Sequence, residues 1–215
     1  MNRTLSITLI VLVGLIALVA ILLPQILSWI GFHPPYEQAE FDLDGRKTLI
    51  IATNVDTLGE TGRATGVYGS ELTIAYYEFL DAGMTVDIAS IEGGLIPFEP
   101  VSLHYPLATH ADKRYLDDED AQYKTQNSLM VEDLDFTEYD IIWMAGGWGA
   151  AYDLGFSEVL GTKISEAHAE GILLGSVCHG ALGFLMATDL DGSPLVEGKT
   201  MTAVTDKQVE ELRID

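Results

Sequence analysis

The sequence predicts a doubly wound α/β domain, in which helices cover both faces of a parallel sheet, preceded by one membrane-spanning helix. Short apolar runs rich in β-branched residues alternate with helix-like segments from Lys47 onward, and glycine-rich turns follow two of these runs. Buried strands that alternate with helices are typical of a parallel sheet. A long apolar stretch at the N-terminus predicts the additional helix.

The N-terminal stretch is long enough to cross a bilayer. Leu5 to Leu23 contains 19 residues without a charge, and about 20 apolar residues span the hydrocarbon core. A cleavable signal peptide usually has a shorter apolar region of about 7–15 residues. We therefore expect residues 1–32 to form an uncleaved anchor, with Trp29 at the membrane interface. Residues 33–45 predict an extended tether.

The charges beside this stretch indicate its orientation. Arg3 is the only side-chain cation before it, whereas four acidic residues follow it before Arg46. Cytoplasmic flanks of membrane helices are enriched in Lys and Arg. We therefore expect a single-pass membrane protein with its N-terminus in the cytoplasm and its domain outside.

The remaining elements belong to a domain over residues 46–215. The predicted strands are apolar and β-branched, and the predicted helices end near a glycine. Strands are predicted over Lys47–Thr53, Met84–Ser90, Asp140–Gly147 and Ile172–Cys178, and helices over Glu71–Asp81 and Ser157–Glu170. The periodicity fails between Pro97 and Thr137, so we expect a long excursion there over the carboxyl ends of the strands.

Charge and cysteine content exclude several classes of function. With 33 acidic and 11 basic residues, the net charge is −22, which argues against nucleic acid as a partner because phosphate binding needs a clustered positive face. Such acidity is typical of a heavily solvated surface. The single cysteine cannot form an internal disulfide, and neither CxxC nor HExxH spacing indicates a metal site.

That cysteine, Cys178, is the first candidate for chemistry. It ends a predicted strand, and His179 and Gly180 open the next predicted helix. In a parallel sheet, reactive groups lie at the carboxyl ends of the strands. A cysteine at a sharp strand-to-helix turn is presented to substrate, and a helix N-terminus favours its thiolate. A lone cysteine is more often a core residue, but the adjacent histidine and glycines favour a nucleophile.

Two further segments fall at the same predicted edge. The glycine turn at Gly146, Gly147 and Gly149 could offer backbone amides to an oxyanion, with the His179 amide as a second donor; such turns serve packing equally often. Glu71 begins a predicted helix, where an acidic residue complements the helix dipole. If its carboxyl points into the site instead, it shuttles a proton for the thiol or shares one with it.

Five segments occur in a fixed order across about the last 165 residues: TGVYGSEL, FLDAGMTVDIASIEGGLIPFEPVS, YDIIWMAGGWGAAYDLG, GILLGSVCHGALGFL and GKTMTAVTD. Together they resemble the DJ-1/PfpI superfamily, and within it the Hsp31-like branch of glyoxalase III, deglycase and chaperone proteins. The resemblance implies a flavodoxin-like sandwich with Cys178 as nucleophile and Glu71 as the acidic partner of the thiol. It also implies that His179 is catalytic and is assisted by Asp206, with Glu210 as the fallback.

The resemblance further implies that Gly147 and His179 contribute to the oxyanion site, and that Gly146 and Trp148 belong to the substrate pocket. The implied reaction converts a 2-oxoaldehyde such as methylglyoxal, through a hemithioacetal on Cys178, to a 2-hydroxy acid without metal, cofactor or glutathione. The expected partners are this small carbonyl substrate and, through the N-terminal helix, a membrane. A homodimer is left open.

Two features depart from the family pattern. Trp148 stands where the branch commonly has a histidine, and the chain ends at Asp215, soon after the fifth strand, where the family continues. The second departure predicts a C-terminally truncated sheet, because either the sequence is a fragment or the sheet lacks an edge. An open edge would be unstable or would need a partner. Two alternatives to the glyoxalase remain: a cysteine hydrolase or amidase of the PfpI or glutamine amidotransferase type, and a non-enzymatic holdase or redox sensor in which Cys178 oxidises.

Overall fold

The computed structural model describes residues 3–29, 41–205 and 207, which divide into two compact units, 1–40 and 41–215. Helix α1, Arg3–Trp29, belongs to the first unit. Its window Ser6–Leu23 has a mean hydropathy of 3.1, so by length and composition alone it could cross a membrane, although a signal sequence would meet the same criteria. The tether predicted over 33–45 lies largely outside the described residues.

A parallel five-stranded sheet of order β3-β2-β1-β4-β5 forms the centre of the second unit. This confirms the predicted doubly wound, flavodoxin-like fold. The strands are β1 (Lys47–Ala52), β2 (Thr85–Ser90), β3 (Leu129–Met130), β4 (Ile141–Met144) and β5 (Leu173–Ser176), and the helices are α2 (Gly69–Asp81), α3 (His110–Leu116), α4 (Glu119–Gln126) and α5 (Glu158–Ala169).

The central strand β1 is buried on both faces, as its continuous apolar run predicts. Leu49 and Ile51 enter the core layer that also contains Leu160 and Ile164 of α5. Ile50 and Ala52 enter the opposite layer with α2, α3 and α4. The strand order reverses between β1 and β4, and ligands of such sheets bind beside this point at the carboxyl ends of the strands.

The region 97–137 is more regular than the expected excursion, since it contains α3, α4 and β3. Both helices are short, and both begin at a capping residue. Thr109 and Asp112 form a capping box at α3, and Asp118 accepts a hydrogen bond from the amide of Ala121 at α4. The acidic run at 117–120 therefore begins a helix, where its negative charges are favourable.

The segment after β5 is helical. A helix was expected to open at His179 and Gly180; the helix there is of the 3₁₀ type and covers Cys178–Phe184. Strand β5 forms one edge of the described sheet, and Leu173 on it is 63% exposed.

Candidate active site

The candidate nucleophile is the first residue of the 3₁₀ helix, at a strained turn just after β5. Cys178 has a φ of 53°, and among the described residues it is the one non-glycine residue with a positive φ. Such a conformation costs on the order of 1–3 kcal/mol and persists only where the surroundings enforce it. Gly180 helps to enforce it, because a Cβ there would lie 2.2 Å from the carbonyl oxygen of Met144. The turn therefore packs directly onto β4.

The glycine turn after β4 forms the second side of the site. A Cβ on Gly146 would lie 2.5 Å from Oε2 of Glu71 and 2.8 Å from the backbone nitrogen of His179. Gly147 has a φ of 94°, and a Cβ there would lie 2.4 Å from the carbonyl oxygen of Gly66. The absence of side chains thus lets three loops approach one another. The amides of Gly147 and His179 both lower the pKa of the Cys178 thiol.

Glu71 reaches the same point from the first turn of α2. Its Oε2 is buried and accepts no hydrogen bond of regular geometry from the described part of the chain. Burial raises the pKa of this carboxyl, while the nearby Cys178 thiol and the amides of Gly146 and Gly147 oppose the increase in part. Glu71 is therefore an acid whose proton is held more tightly than that of an exposed glutamate.

The thiol is also more strongly protonated than an exposed cysteine. Burial raises the pKa of Cys178, and the negative charge of Glu71 raises it further, against the lowering effect of the Gly147 and His179 amides. The His179 amide at the start of the 3₁₀ helix favours the thiolate, as expected for a helix N-terminus, but desolvation and the Glu71 charge outweigh it. The two acidic groups are in contact and are best treated as one pair that shares a proton.

His179 completes the cluster. Its Nδ1 lies 3.3 Å from Sγ of Cys178, and the side chain is only 7% exposed. Burial lowers the pKa of the imidazole, so the neutral ring that can accept a proton predominates at neutral pH. Asp206 and Glu210, the acids predicted to assist it, lie outside the described residues.

A cavity of about 340 Å³ opens beside Cys178 and His179. Of the two residues predicted for the substrate pocket, Trp148 lines this cavity, whereas Gly146 is buried beside Glu71 and does not belong to the lining. The Arg63 guanidinium lies 5.3 Å from the centre of the Trp148 ring, a distance at which cation–π attraction operates. In the described parts of the chain, no cluster of His, Cys, Asp or Glu could hold a metal ion.

One residue that supports the site, Asp153, was not predicted from the sequence. Asp153 accepts hydrogen bonds from Oγ1 of Thr53 at 2.9 Å, the Asn54 amide at 2.9 Å and the Leu154 amide at 2.7 Å. It therefore ties the loop after β1 to the loop that carries Trp148. The only sequence signal was a single carboxylate inside the apolar turn AAYDLG.

The profile of the DJ-1/PfpI family matches residues 63–212, and the chain belongs to this family. It is 27% identical over 165 residues to the glutathione-independent glyoxalase hsp3101 of Schizosaccharomyces pombe, covering 74% of this chain and 67% of the relative. It is 29% identical over 165 residues to the glutathione-independent glyoxalase HSP31 of Saccharomyces cerevisiae, covering 75% and 69%. The chain thus spans about two thirds of the length of these relatives.

Solved structures give the same family picture. Glyoxalase III of Candida albicans superposes with a TM-score of 0.70 at 26% identity, covering 78% of this chain and 71% of the other. The Rapid Encystment Protein of 24 kDa from Francisella tularensis superposes with a TM-score of 0.72 at 28% identity, covering 78% and 73%. Both agree with the parallel sheet and its helices.

Proposed function

We propose that the protein is a glyoxalase III-like enzyme that converts 2-oxoaldehydes such as methylglyoxal to 2-hydroxy acids without a cofactor. The observation that supports this proposal best is that Glu71 and His179 both lie close to Cys178, which opens onto a cavity. A strained, half-buried thiol close to an acid and a neutral imidazole has the groups that nucleophilic and proton-transfer catalysis need. Relatives named glutathione-independent glyoxalases support the same reaction class.

The first step forms the carbon–sulfur bond. The Cys178 proton moves to the Glu71 carboxylate or to the His179 imidazole, and the sulfur attacks the aldehyde carbon. The carbonyl electron pair moves onto oxygen, where the amides of Gly147 and His179 are available to stabilise the charge. Return of the proton to this oxygen gives a hemithioacetal. The raised pKa of the thiol favours a proton transfer coupled to attack over a standing thiolate.

The second step moves a proton between two neighbouring carbons. A base, Glu71 or His179, removes the proton from the former aldehyde carbon to give an enediol, and the proton returns to the adjacent carbon. The aldehyde carbon is thereby oxidised to a thioester while its neighbour is reduced to an alcohol, so no external oxidant is required. Water then cleaves the thioester, which releases the 2-hydroxy acid and restores the thiol of Cys178.

Lactate formation from methylglyoxal tests this proposal. We expect the full chain in detergent micelles to produce lactate, and Cys178→Ala and Glu71→Gln each to lose at least about 100-fold in rate. Glu78→Gln, on the exposed side of the same helix as Glu71, is the matched control and should retain activity. Lactate production by Cys178→Ala at the wild-type rate would show that the thiol is not the nucleophile.

We also propose that α1 anchors the enzyme in a membrane as a single-pass helix, with the catalytic unit outside the cytoplasm. The 18-residue apolar window and the position of Arg3 before it support this location. The charge asymmetry agrees with the positive-inside rule.

A holdase is a second candidate, favoured by apolar surface beside the edge strand. Leu173 of β5 is 63% exposed and borders a hollow of about 450 Å³ that Phe184, Leu195 and Met201 also line. Exposed apolar patches of this kind are typical of protein-binding surfaces. Suppression of client aggregation by Cys178→Ala as well as by the wild type would support this activity, since it does not require the thiol.

A further inference from the structure

The cavity beside Cys178 is more apolar than methylglyoxal requires. Beyond Cys178 and His179, only Trp148 and Tyr152 among its described lining residues carry a side-chain hydrogen-bonding group, and none of those residues is charged. Leu58, Leu182, Phe184 and Leu185 supply most of the remaining wall. A small polar aldehyde would leave much of this surface in contact with water, and removing such surface from water is favourable.

The cavity is also larger than methylglyoxal requires. Its volume of about 340 Å³ lies in the range of sites that hold ligands much larger than a three-carbon aldehyde, which start at roughly 300 Å³. A substrate attached to Cys178 through its aldehyde carbon therefore has room for a sizeable substituent on the adjacent carbonyl.

The indole of Trp148 is a firmly held wall of this cavity. The Arg63 guanidinium lies 5.3 Å from the centre of the ring, and the neighbouring Gly147 packs so closely against Gly66 that a Cβ there would overlap its carbonyl oxygen. Asp153, with its bonds to Thr53 and Asn54, holds the end of the same loop. When a side chain is already ordered before the substrate binds, no conformational entropy is lost in ordering it, so more of the contact energy contributes to binding affinity.

We propose that Trp148 determines specificity, and that the preferred substrates are 2-oxoaldehydes with a bulky apolar substituent, such as an aromatic ring. This inference rests on the proposed function. The substituent packs against Trp148 and the leucine and phenylalanine walls, while the aldehyde carbon meets the sulfur of Cys178. Substrates with a carboxylate substituent are disfavoured, because the described lining offers no cation to pair with it and the chain carries a net charge of −22.

Phenylglyoxal and methylglyoxal provide the test. With the full chain in detergent micelles, we expect kcat/KM for phenylglyoxal to exceed that for methylglyoxal by at least about tenfold, mainly through a lower KM, because each added apolar carbon in a fitted pocket contributes measurable discrimination. The two aldehydes differ in intrinsic reactivity, but that difference is the same for the wild type and every variant. The decisive quantity is therefore the ratio of kcat/KM for phenylglyoxal to kcat/KM for methylglyoxal, compared between the wild type and each variant.

Trp148→His should lower this ratio about tenfold, whereas Trp148→Phe, which keeps an apolar ring, should retain most of it. Trp143→Phe is the matched control, because Trp143 belongs to β4 and does not line the cavity. A ratio near one, or a ratio unchanged in Trp148→His, would overturn the specificity assignment and leave the proposed function standing. Failure to turn over either aldehyde would instead refute the proposed function.

Discussion

At the scale of single residues, the pair of Glu71 and Cys178 determines both reactivity and stability. Each group has its pKa raised, chiefly by burial, and the charge on Glu71 also raises the pKa of the thiol. A pair of this kind readily holds one proton and resists losing it. The reaction we propose uses that proton, since it leaves the sulfur during attack and returns to the new oxygen. The same burial makes the ionised carboxylate a cost to the folded state.

The first prediction concerns this cost. Because the folded-state pKa of Glu71 is raised, its contribution to stability is fully present below the unfolded pKa of about 4.3 and is lost as pH rises through the folded value. Glutamine has nearly the same shape but does not ionise, so it does not lose this stability as pH rises. We therefore expect Glu71→Gln to stabilise the fold at neutral pH by about 1–2 kcal/mol, and the gain to disappear below about pH 4.

Urea unfolding of the full chain in micelles, at neutral and at acid pH, measures this difference. Glu166→Gln removes a charge from an exposed position of α5 and should change stability by no more than about 0.5 kcal/mol. Equal stabilities of Glu71→Gln and wild type at neutral pH would mean that the carboxyl is already protonated or well solvated there.

The residues of the site could be predicted only in part. Cys178, His179 and Glu71 were identified from their positions after strands and in the family motifs, and the structure brings them together. The raised pKa of the thiol could not be predicted, because it depends on how deeply distant segments bury the sulfur. Asp153 was missed for a similar reason, since its role depends on Thr53, far away in sequence.

At the scale of elements, the 3₁₀ helix and its continuation depend on close packing against α5. A Cβ on Gly161 would lie 2.6 Å from the backbone of Met186, so an alanine there must separate the two segments. Alanine gains roughly 1 kcal/mol over glycine in a helix interior, whereas overpacking a well-filled contact costs about 1–3 kcal/mol. Because the contact is to backbone, which cannot move aside easily, the overpacking cost should exceed the gain in helix propensity.

We therefore expect Gly161→Ala to lower the free energy of unfolding by about 1–2 kcal/mol. Thr162→Ala, at the exposed neighbouring position of the same helix, is the control and should be within about 0.5 kcal/mol of the wild type. Urea unfolding followed by circular dichroism measures both. A stabilising effect of Gly161→Ala would show that helix propensity outweighs this contact.

The elements that could be predicted are those with strong apolar patterns. Strands β1, β2, β4 and β5 and helices α2 and α5 lie within or close to their predicted ranges. The missed helices α3 and α4 are short and polar and depend on side-chain caps. The missed strand β3 has only two residues and depends on pairing with β2. The expected helix after Cys178 became a 3₁₀ segment, in which Gly180 and Gly183 press against Met144 of β4.

At the scale of the whole molecule, an apolar helix and a strongly acidic unit share one chain. None of the 33 acidic residues precedes Glu37, and Arg3 is the one charged side chain before the apolar window. The basic flank is retained on the cytoplasmic side during membrane insertion. These features support the proposed exterior location of the catalytic unit, and they make that location testable.

The last prediction is that a protease added to intact expressing cells digests the catalytic unit, while the N-terminal flank stays protected and unprocessed. Mass spectrometry of the membrane-bound product should recover the sequence that includes Arg3, because an uncleaved anchor keeps it. Asp42→Lys combined with Asp44→Lys places cations after the helix and should reduce the digested fraction, since it weakens the charge asymmetry. Protection of the catalytic unit until the cells are permeabilised would reverse the orientation. A mature N-terminus beyond Leu23 would instead identify α1 as a cleaved signal sequence.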